Sequence, residues 1–197
     1  SIADEFRSDA LRLNYIQNGV DTDKYFPLLK KDKDVLKNKL EIDTGKKIFI
    51  TVGSLIPRKD VQTVIRGFNL YNKINNSILL VAGVGFEKDK LQSISDENVR
   101  FLGNISNVVE YLQISDCFVS ASLAEGLPNT VLEAMACGLP LILSNIAPHR
   151  ELCNDQSSFF GIHDALDLSA KLACVNDFTN NTKEIVDEIF SAEIMSI

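Results

Sequence analysis

Two glutamates eight positions apart, Glu125 and Glu133, stand in the stretch EGLPNTVLEAMACGLP. Paired carboxylates around a turn are the residue types of acid/base catalysis or of a hard-cation site. Their settings separate them. Glu125 lies in the loop SLAEGLPN (122–129), where Gly126 permits close backbone approach. Glu133 lies about one and a half turns into a helix starting near Pro128, roughly 8 Å along its axis. Its neighbours Val131, Leu132, Ala134, Met135 and Ala136 are apolar. A carboxylate there is expensive to bury unless a donor or ligand hydroxyls partner it; an exposed helical position is the plainer alternative. The N–H groups of Asn129, Thr130 and Val131 open that helix and, with its dipole, offer an anion site.

A second loop, GSLIPRKD (53–60), carries Arg58 and Lys59 ahead of a helix. Two adjacent cations at a helix start suit a phosphate, although a solvated pair on a loop would be spelled the same way. Gly53 lets the chain turn tightly after the preceding apolar run. Together the two loops could grip one diphosphate. The residues give no support to a metal: no Asp pair is clustered and no His/Cys ligand spacing occurs. His149 and His163 are far apart, and His149 reads as structural. There is no G-x-S-x-G elbow, and GVG (83–85) is too short for a dinucleotide fingerprint.

Both loops need a frame that brings them together. Apolar runs at 46–53, 77–83, 98–103, 116–122, 139–145 and 157–162 predict six strands. They are continuous rather than alternating, which predicts burial on both faces and a parallel sheet. Helical patterns at 60–71, 86–94, 107–115, 128–137, 148–152 and 164–175 lie between and after them. In the first, Val61, Val64, Ile65 and Phe68 fall on one face, with Asp60 as its N-cap. The expected fold is α/β, a doubly wound Rossmann-like domain with a six-stranded parallel sheet. Residues 1–45 read as a connector plus a first helix near 33–41, with LLKKDKD solvated and Leu36 and Leu40 inward; residues 46–197 form the domain. Ligands in such sheets bind beyond the carboxyl ends of the strands, which selects loops 53–60, 83–86 and 122–129.

Bulk properties narrow the classes. A chain of 197 residues with 45% hydrophobic and 24% charged residues is that of an ordinary globular domain. A net charge of −7 argues against a non-specific nucleic-acid binder. No apolar run reaches the roughly 18 residues of a membrane span. Cys117, Cys137, Cys153 and Cys174 lack CxxC spacing and read as reduced, core cysteines of a cytoplasmic protein, Cys153 having the least apolar context. The chain starts at Ser1 and stops at FSAEIMSI without a capping signal, as an excised domain would.

These motifs resemble a known family. NGVDTDKYFP resembles the interdomain connector of retaining glycosyltransferases of group 1 (family four), which have the two-domain GT-B fold. VGSLIPRKD resembles their phosphate loop, and EGLPNTVLEAMACGLPLILSN their E-x7-E signature. VAGVGFEKDKL, VRFLGNISNVVEYLQISDCFVSAS and FSAEIMSI resemble further segments, the last being the helix that crosses back to the other domain. The resemblance implies the donor-binding half of a GT-B enzyme. Its nucleotide-sugar would be held by Gly53, Ser54, Arg58, Lys59, Asn104, Glu125, Gly126, Leu127, Asn129, Thr130 and Glu133. In that reading Lys59 contacts the phosphates, Glu125 faces the sugar and Glu133 the ribose, with Lys59 and Glu125 catalytic. Asn104 and Ile105 would lie near the base. One position departs: Ser54 stands where the family usually has arginine.

The implied activity is transfer of a hexose to a saccharide or lipid-linked acceptor in cell-surface polysaccharide or lipopolysaccharide assembly. No cofactor or metal is expected. The implied partners are the nucleotide-diphosphate sugar and an acceptor domain outside this chain, through which a cytoplasmic protein would touch the membrane; nucleic acid is not among them. This half alone would bind donor weakly and transfer nothing. Two other readings are a GT-B nucleotide-sugar epimerase and, on the strength of Ser54, a degenerate nucleotide-binding module.

Overall fold

A computed structural model describes residues 19–153, 155–175 and 182–186. The elements run α1 (Lys30–Lys39), β1 (Lys47–Val52), α2 (Val61–Asn72), β2 (Ser77–Ala82), α3 (Lys88–Ser93), β3 (Val99–Gly103) and α4 (Val108–Ile114). They continue with β4 (Cys117–Ser120), α5 (Asn129–Ala136), β5 (Leu141–Ser144), α6 (Ala147–Leu152), β6 (Phe159–Phe160), α7 (Ala165–Cys174) and α8 (Thr182–Ile185). Short 3-10 turns occupy Pro57–Lys59 and Gln156–Ser158. Every expected strand forms, though β6 shrinks to Phe159–Phe160 behind its 3-10 turn. FSAEIMSI and residues 1–18 lie outside the described residues.

The sheet is parallel throughout, with order β3-β2-β1-β4-β5-β6. It grows one way from β1 to β3 and the other way from β4 to β6. The crevice of a doubly wound sheet therefore opens where the loops after β1 and β4 meet. Alternate side chains enter opposite layers. Ile48, Ile50, Leu80, Phe118 and Leu143 pack in one core with Leu112 of α4 and Val131, Leu132 and Met135 of α5. Phe49, Leu79, Val81, Val119 and Ile142 pack in the other with Val64, Ile65 and Phe68 of α2 and Leu168 and Leu172 of α7. Fully buried Phe49 meets Phe68 and Tyr71 edge to face, at 6.1 and 5.4 Å between centroids.

Residues 19–27 are fastened to the first layer. Val20 and Tyr25 are buried in its core. Asp21 folds the segment into a turn: its Oδ1 accepts the N–H groups of Asp23 and Lys24, both at 3.1 Å. The Tyr25 N–H closes the turn on the Asp21 carbonyl at 2.9 Å, and Gln113 of α4 donates to the Phe26 carbonyl at 3.0 Å.

Four local expectations change. Asp60 precedes α2 but does not cap it through its side chain. Its backbone is left-handed (φ 43°), and its carboxylate instead accepts from Thr63 Oγ1 at 2.7 Å and faces His163 Nδ1 at 2.7 Å. Pro128 stands just before α5 rather than within it. In α1, Leu36 and Leu40 pack inward as expected, but Lys33 of LLKKDKD is half-buried rather than fully solvated. Lys37 is buried, and both lysines line a 610 Å³ groove at the amino ends of the strands. Finally, Cys117, Cys137 and Cys153 are buried as expected, but Cys174 is exposed, because it ends α7 on its outward side; all four cysteines are free thiols.

Candidate functional site

The loops after β1 and β4 are stitched together at the crevice. The Leu123 N–H donates to the Arg58 carbonyl at 2.8 Å. Arg58 returns a hydrogen bond from its guanidinium to the Ala124 carbonyl at 2.7 Å and one to Glu125 Oε2 at 3.1 Å. Lys59 Nζ donates to Glu125 Oε1 at 2.5 Å. One carboxylate thus bridges two cations contributed by the other loop. The Glu125 side chain is only 7% exposed, against 49% for Arg58. Burial works against the charged form of Glu125. The hydrogen bonds from Lys59, Ser122 and Arg58 and the Lys59 charge outweigh it and hold its carboxyl below the usual glutamate range. The net charge of this triad is positive.

The floor beneath the triad comes from β5 and α6. The Ser144 hydroxyl donates to the Ser122 carbonyl at 2.5 Å. His149, fully buried, places Nδ1 2.9 Å from the Ser144 carbonyl. A carbonyl only accepts, so Nδ1 carries the proton. Burial pushes the His149 pKa down, which keeps the ring neutral beside the Lys59–Glu125 pair. Through Ser144, His149 supports the loop that carries Glu125.

Close backbone packing sets the other wall. Leu55 donates to the Val84 carbonyl at 2.8 Å, and Gly53 to the Ala82 carbonyl at 2.9 Å. Gly83, at φ 143°, is the position this demands: a Cβ there would come within 1.8 Å of the Gly53 carbonyl oxygen. Sequence reasoning passed over GVG for lack of a fingerprint, yet its glycines let two loops touch. Beside them a 300 Å³ cleft is lined by Gly53, Ser54, Gly83, Asn104, Ile105 and Val108. Gly53, Ser54, Asn104 and Ile105, widely spaced in sequence, therefore share one cavity.

The start of α5 offers less than its sequence implied. The Asn129 N–H reaches the Leu127 carbonyl at 3.0 Å and the Val131 N–H the Pro128 carbonyl at 2.9 Å. Among the described residues only the Thr130 N–H of these three lacks an acceptor. Leu127 packs against the first core, which anchors the turn. Gly126 has no positive φ, and among the described residues nothing beyond its chain neighbours lies within 4 Å of where its Cβ would stand. The chain itself therefore does not require glycine there.

Glu133 is separate from the triad. Its Oε1 accepts the Tyr25 hydroxyl at 3.0 Å. Burial raises its pKa, and the Tyr25 hydrogen bond and the Lys24 charge oppose that rise. Among the described residues the two glutamates share no partner. Sequence reasoning had not singled out Tyr25, although NGVDTDKYFP contains it.

Comparison with known proteins sets this geometry in a family. The sequence model described as "Glycosyl transferases group 1" matches residues 32–177. An uncharacterized glycosyltransferase of Methanocaldococcus jannaschii is 36% identical over 135 residues, covering 64% of this chain and 32% of that protein. The UDP-Gal:alpha-D-GlcNAc-diphosphoundecaprenol alpha-1,3-galactosyltransferase of Escherichia coli is 28% identical over 193 residues, covering 93% and 48%. The crystal structure of Anabaena HepE in complex with UDP and glucose superposes with a TM-score of 0.81 at 19% identity, covering 92% of this chain and 54% of that one. The chain thus spans a third to a half of the length of these two curated relatives.

Proposed function

The chain belongs to the group 1 glycosyl transferases, and from that premise we propose that it is the donor-binding half of such an enzyme, holding a nucleotide-diphosphate sugar across the loops after β1, β3 and β4. The observation that carries this reading is the triad at the sheet's switch point. Lys59 and Arg58 converge there from one loop, the Thr130 N–H has no acceptor among the described residues, and a carboxylate lies at each end of the E-x7-E stretch. In this reading the base enters the cleft of Asn104 and Ile105. Glu133 receives the ribose diol. The diphosphate lies against the Thr130 N–H and Lys59. Gly126, with open space on its Cβ side among the described residues, leaves room for a close approach.

Donor binding would recast the triad. Glu125 now offsets one of the two positive charges; phosphate oxygens arriving at Lys59 and Arg58 would release its carboxylate toward the sugar. As the glycosidic bond to phosphate breaks, negative charge grows on the departing diphosphate. Preformed cations and an N–H dipole stabilise that charge without reorganising. These groups supply the positive charge in our reading, with no metal assigned. The acceptor domain belongs to the part of the enzyme outside this chain. Relatives such as the E. coli enzyme are named for acceptors on diphosphoundecaprenol, which supports a lipid-linked acceptor; in our reading the transfer serves polysaccharide or lipopolysaccharide assembly at the cytoplasmic face of a membrane.

Calorimetric titration with UDP, GDP and ADP tests the reading. At least one should bind, and Lys59→Ala should weaken it by about tenfold, the scale of one charge-assisted hydrogen bond. Silence from all three at millimolar concentration would favour the degenerate module instead, in which uncharged Ser54 stands exposed in the base cleft.

A further inference from the structure

The hydrogen bond between Tyr25 and Glu133 joins two parts of the sequence that are 108 positions apart. Glu133 presents two oxygens. Oε1 takes the Tyr25 hydroxyl, and among the described residues no donor reaches Oε2. The carboxylate edges a 450 Å³ cleft whose other polar walls are Asp21, Lys24, Tyr25 and Asn129. Tyr25 cannot follow a moving partner. Its ring is buried in the first core, its N–H is tied to the Asp21 carbonyl, and the next carbonyl is held by Gln113. It is a fixed donor aimed at a more adjustable acceptor.

Resting on the donor-binding reading above, we propose that Tyr25 is a positioning residue: its hydroxyl pins one oxygen of Glu133 so that the other is presented to the ligand's ribose hydroxyls. A glutamate on a helix has three side-chain torsions, and fixing its head before the ligand arrives removes the entropic cost of ordering it on binding. The same bond favours the ionised form, which is the better acceptor for a diol. The other titratable groups facing Glu133 or Tyr25 are Lys24, whose charge favours the carboxylate, and Asp21 and Cys137. Burial pushes the Cys137 thiol up to about 12, so it stays neutral. With Tyr25 gone, burial would act on Glu133 with less opposition, and its pKa would rise further.

Tyr25→Phe keeps the buried ring and deletes only the donor. The test compares native chain, Tyr25→Phe and Glu133→Gln. Affinity for the tightest binder among UDP, GDP and ADP is measured from pH 5 to 8, and the Glu133 carboxyl is followed by carbon NMR without nucleotide. Tyr25→Phe should bind about tenfold more weakly at neutral pH. Both its NMR midpoint and the pH at which affinity falls should move upward. Glu133→Gln should be weak with little dependence on pH in that range. If Tyr25→Phe binds as native and leaves the Glu133 titration unmoved while Glu133→Gln is weak, the positioning role is overturned and the donor reading stands. If Glu133→Gln binds as native, the ribose assignment itself fails and the positioning role with it. A rise in the Glu133 midpoint without any loss of affinity would also overturn positioning, because the bond would then tune charge alone.

Discussion

At the residue scale the informative fact is who neutralises whom. Glu125 was read as facing a sugar and Lys59 as facing phosphate, and the structure pairs them with each other. Such a pairing is a partnership in the folded chain that any anionic ligand must compete with. It also makes a stability prediction. The Glu125 carboxyl is held below its ordinary range in the fold, so the stabilisation is complete above the unfolded-state pKa and is lost as pH falls through the folded one. Glu125→Gln should therefore destabilise the chain at pH 7 by about 1–2 kcal/mol, the scale of lost hydrogen bonds to charged groups. The difference should shrink toward pH 3. Urea unfolding at the two pH values checks this; an equal difference at both would show that shape rather than charge matters there. Which residue would partner Glu125 was not legible in the sequence, because 66 positions separate it from Lys59.

At the element scale, function depends on how closely loops approach. The β1 and β2 loops touch through backbone, and Gly83 leaves room for a carbonyl where a side chain would stand. Gly126 is the opposite case: a glycine in open surroundings. Gly83→Ala should cost roughly 2–4 kcal/mol of stability, since backbone itself must move and the φ is unfavourable for alanine. Gly126→Ala should leave stability within about 0.5 kcal/mol while weakening nucleotide binding severalfold. Thermal melts with calorimetry separate the two. A stable Gly83→Ala chain would contradict the packing account, and unaltered binding by Gly126→Ala would remove the close approach proposed there. The helix start shows the same principle in reverse. Asn129, Thr130 and Val131 look equivalent in sequence, but the turn after Leu127 consumes two of their N–H groups.

At the scale of the whole molecule, one sheet divides two cores and leaves its switch point open. The proposed donor site is made entirely by this domain. The chain spans a third to a half of its curated relatives. Excluding water and presenting an acceptor both need a second wall. The chain of 197 residues should therefore bind nucleotide yet show no sugar transfer to a saccharide or undecaprenyl-diphosphate-linked acceptor, followed with radiolabelled UDP- and GDP-sugars. Turnover by this chain alone would place acceptor recognition within the domain.

The sequence by itself determined the architecture. Continuous apolar runs such as SILLVA have only one comfortable place, a strand covered on both faces, and the helical patterns between them leave a parallel sheet as the solution. It also determined which loops lie at the carboxyl ends, since chain order fixes that once the sheet is parallel. Local pattern could not reach the rest. Asp60 has the identity of a cap but turns to Thr63 and His163. Tyr25 lies ahead of α1 yet holds a carboxylate on a distant helix. Lys59 lies ahead of α2 yet answers a charge beyond β4. Periodicity reports whether a side chain faces inward or outward, because burial is a property of each residue and its near neighbours. Which polar group meets which is a property of pairs, and only the folded chain sets the distances between them.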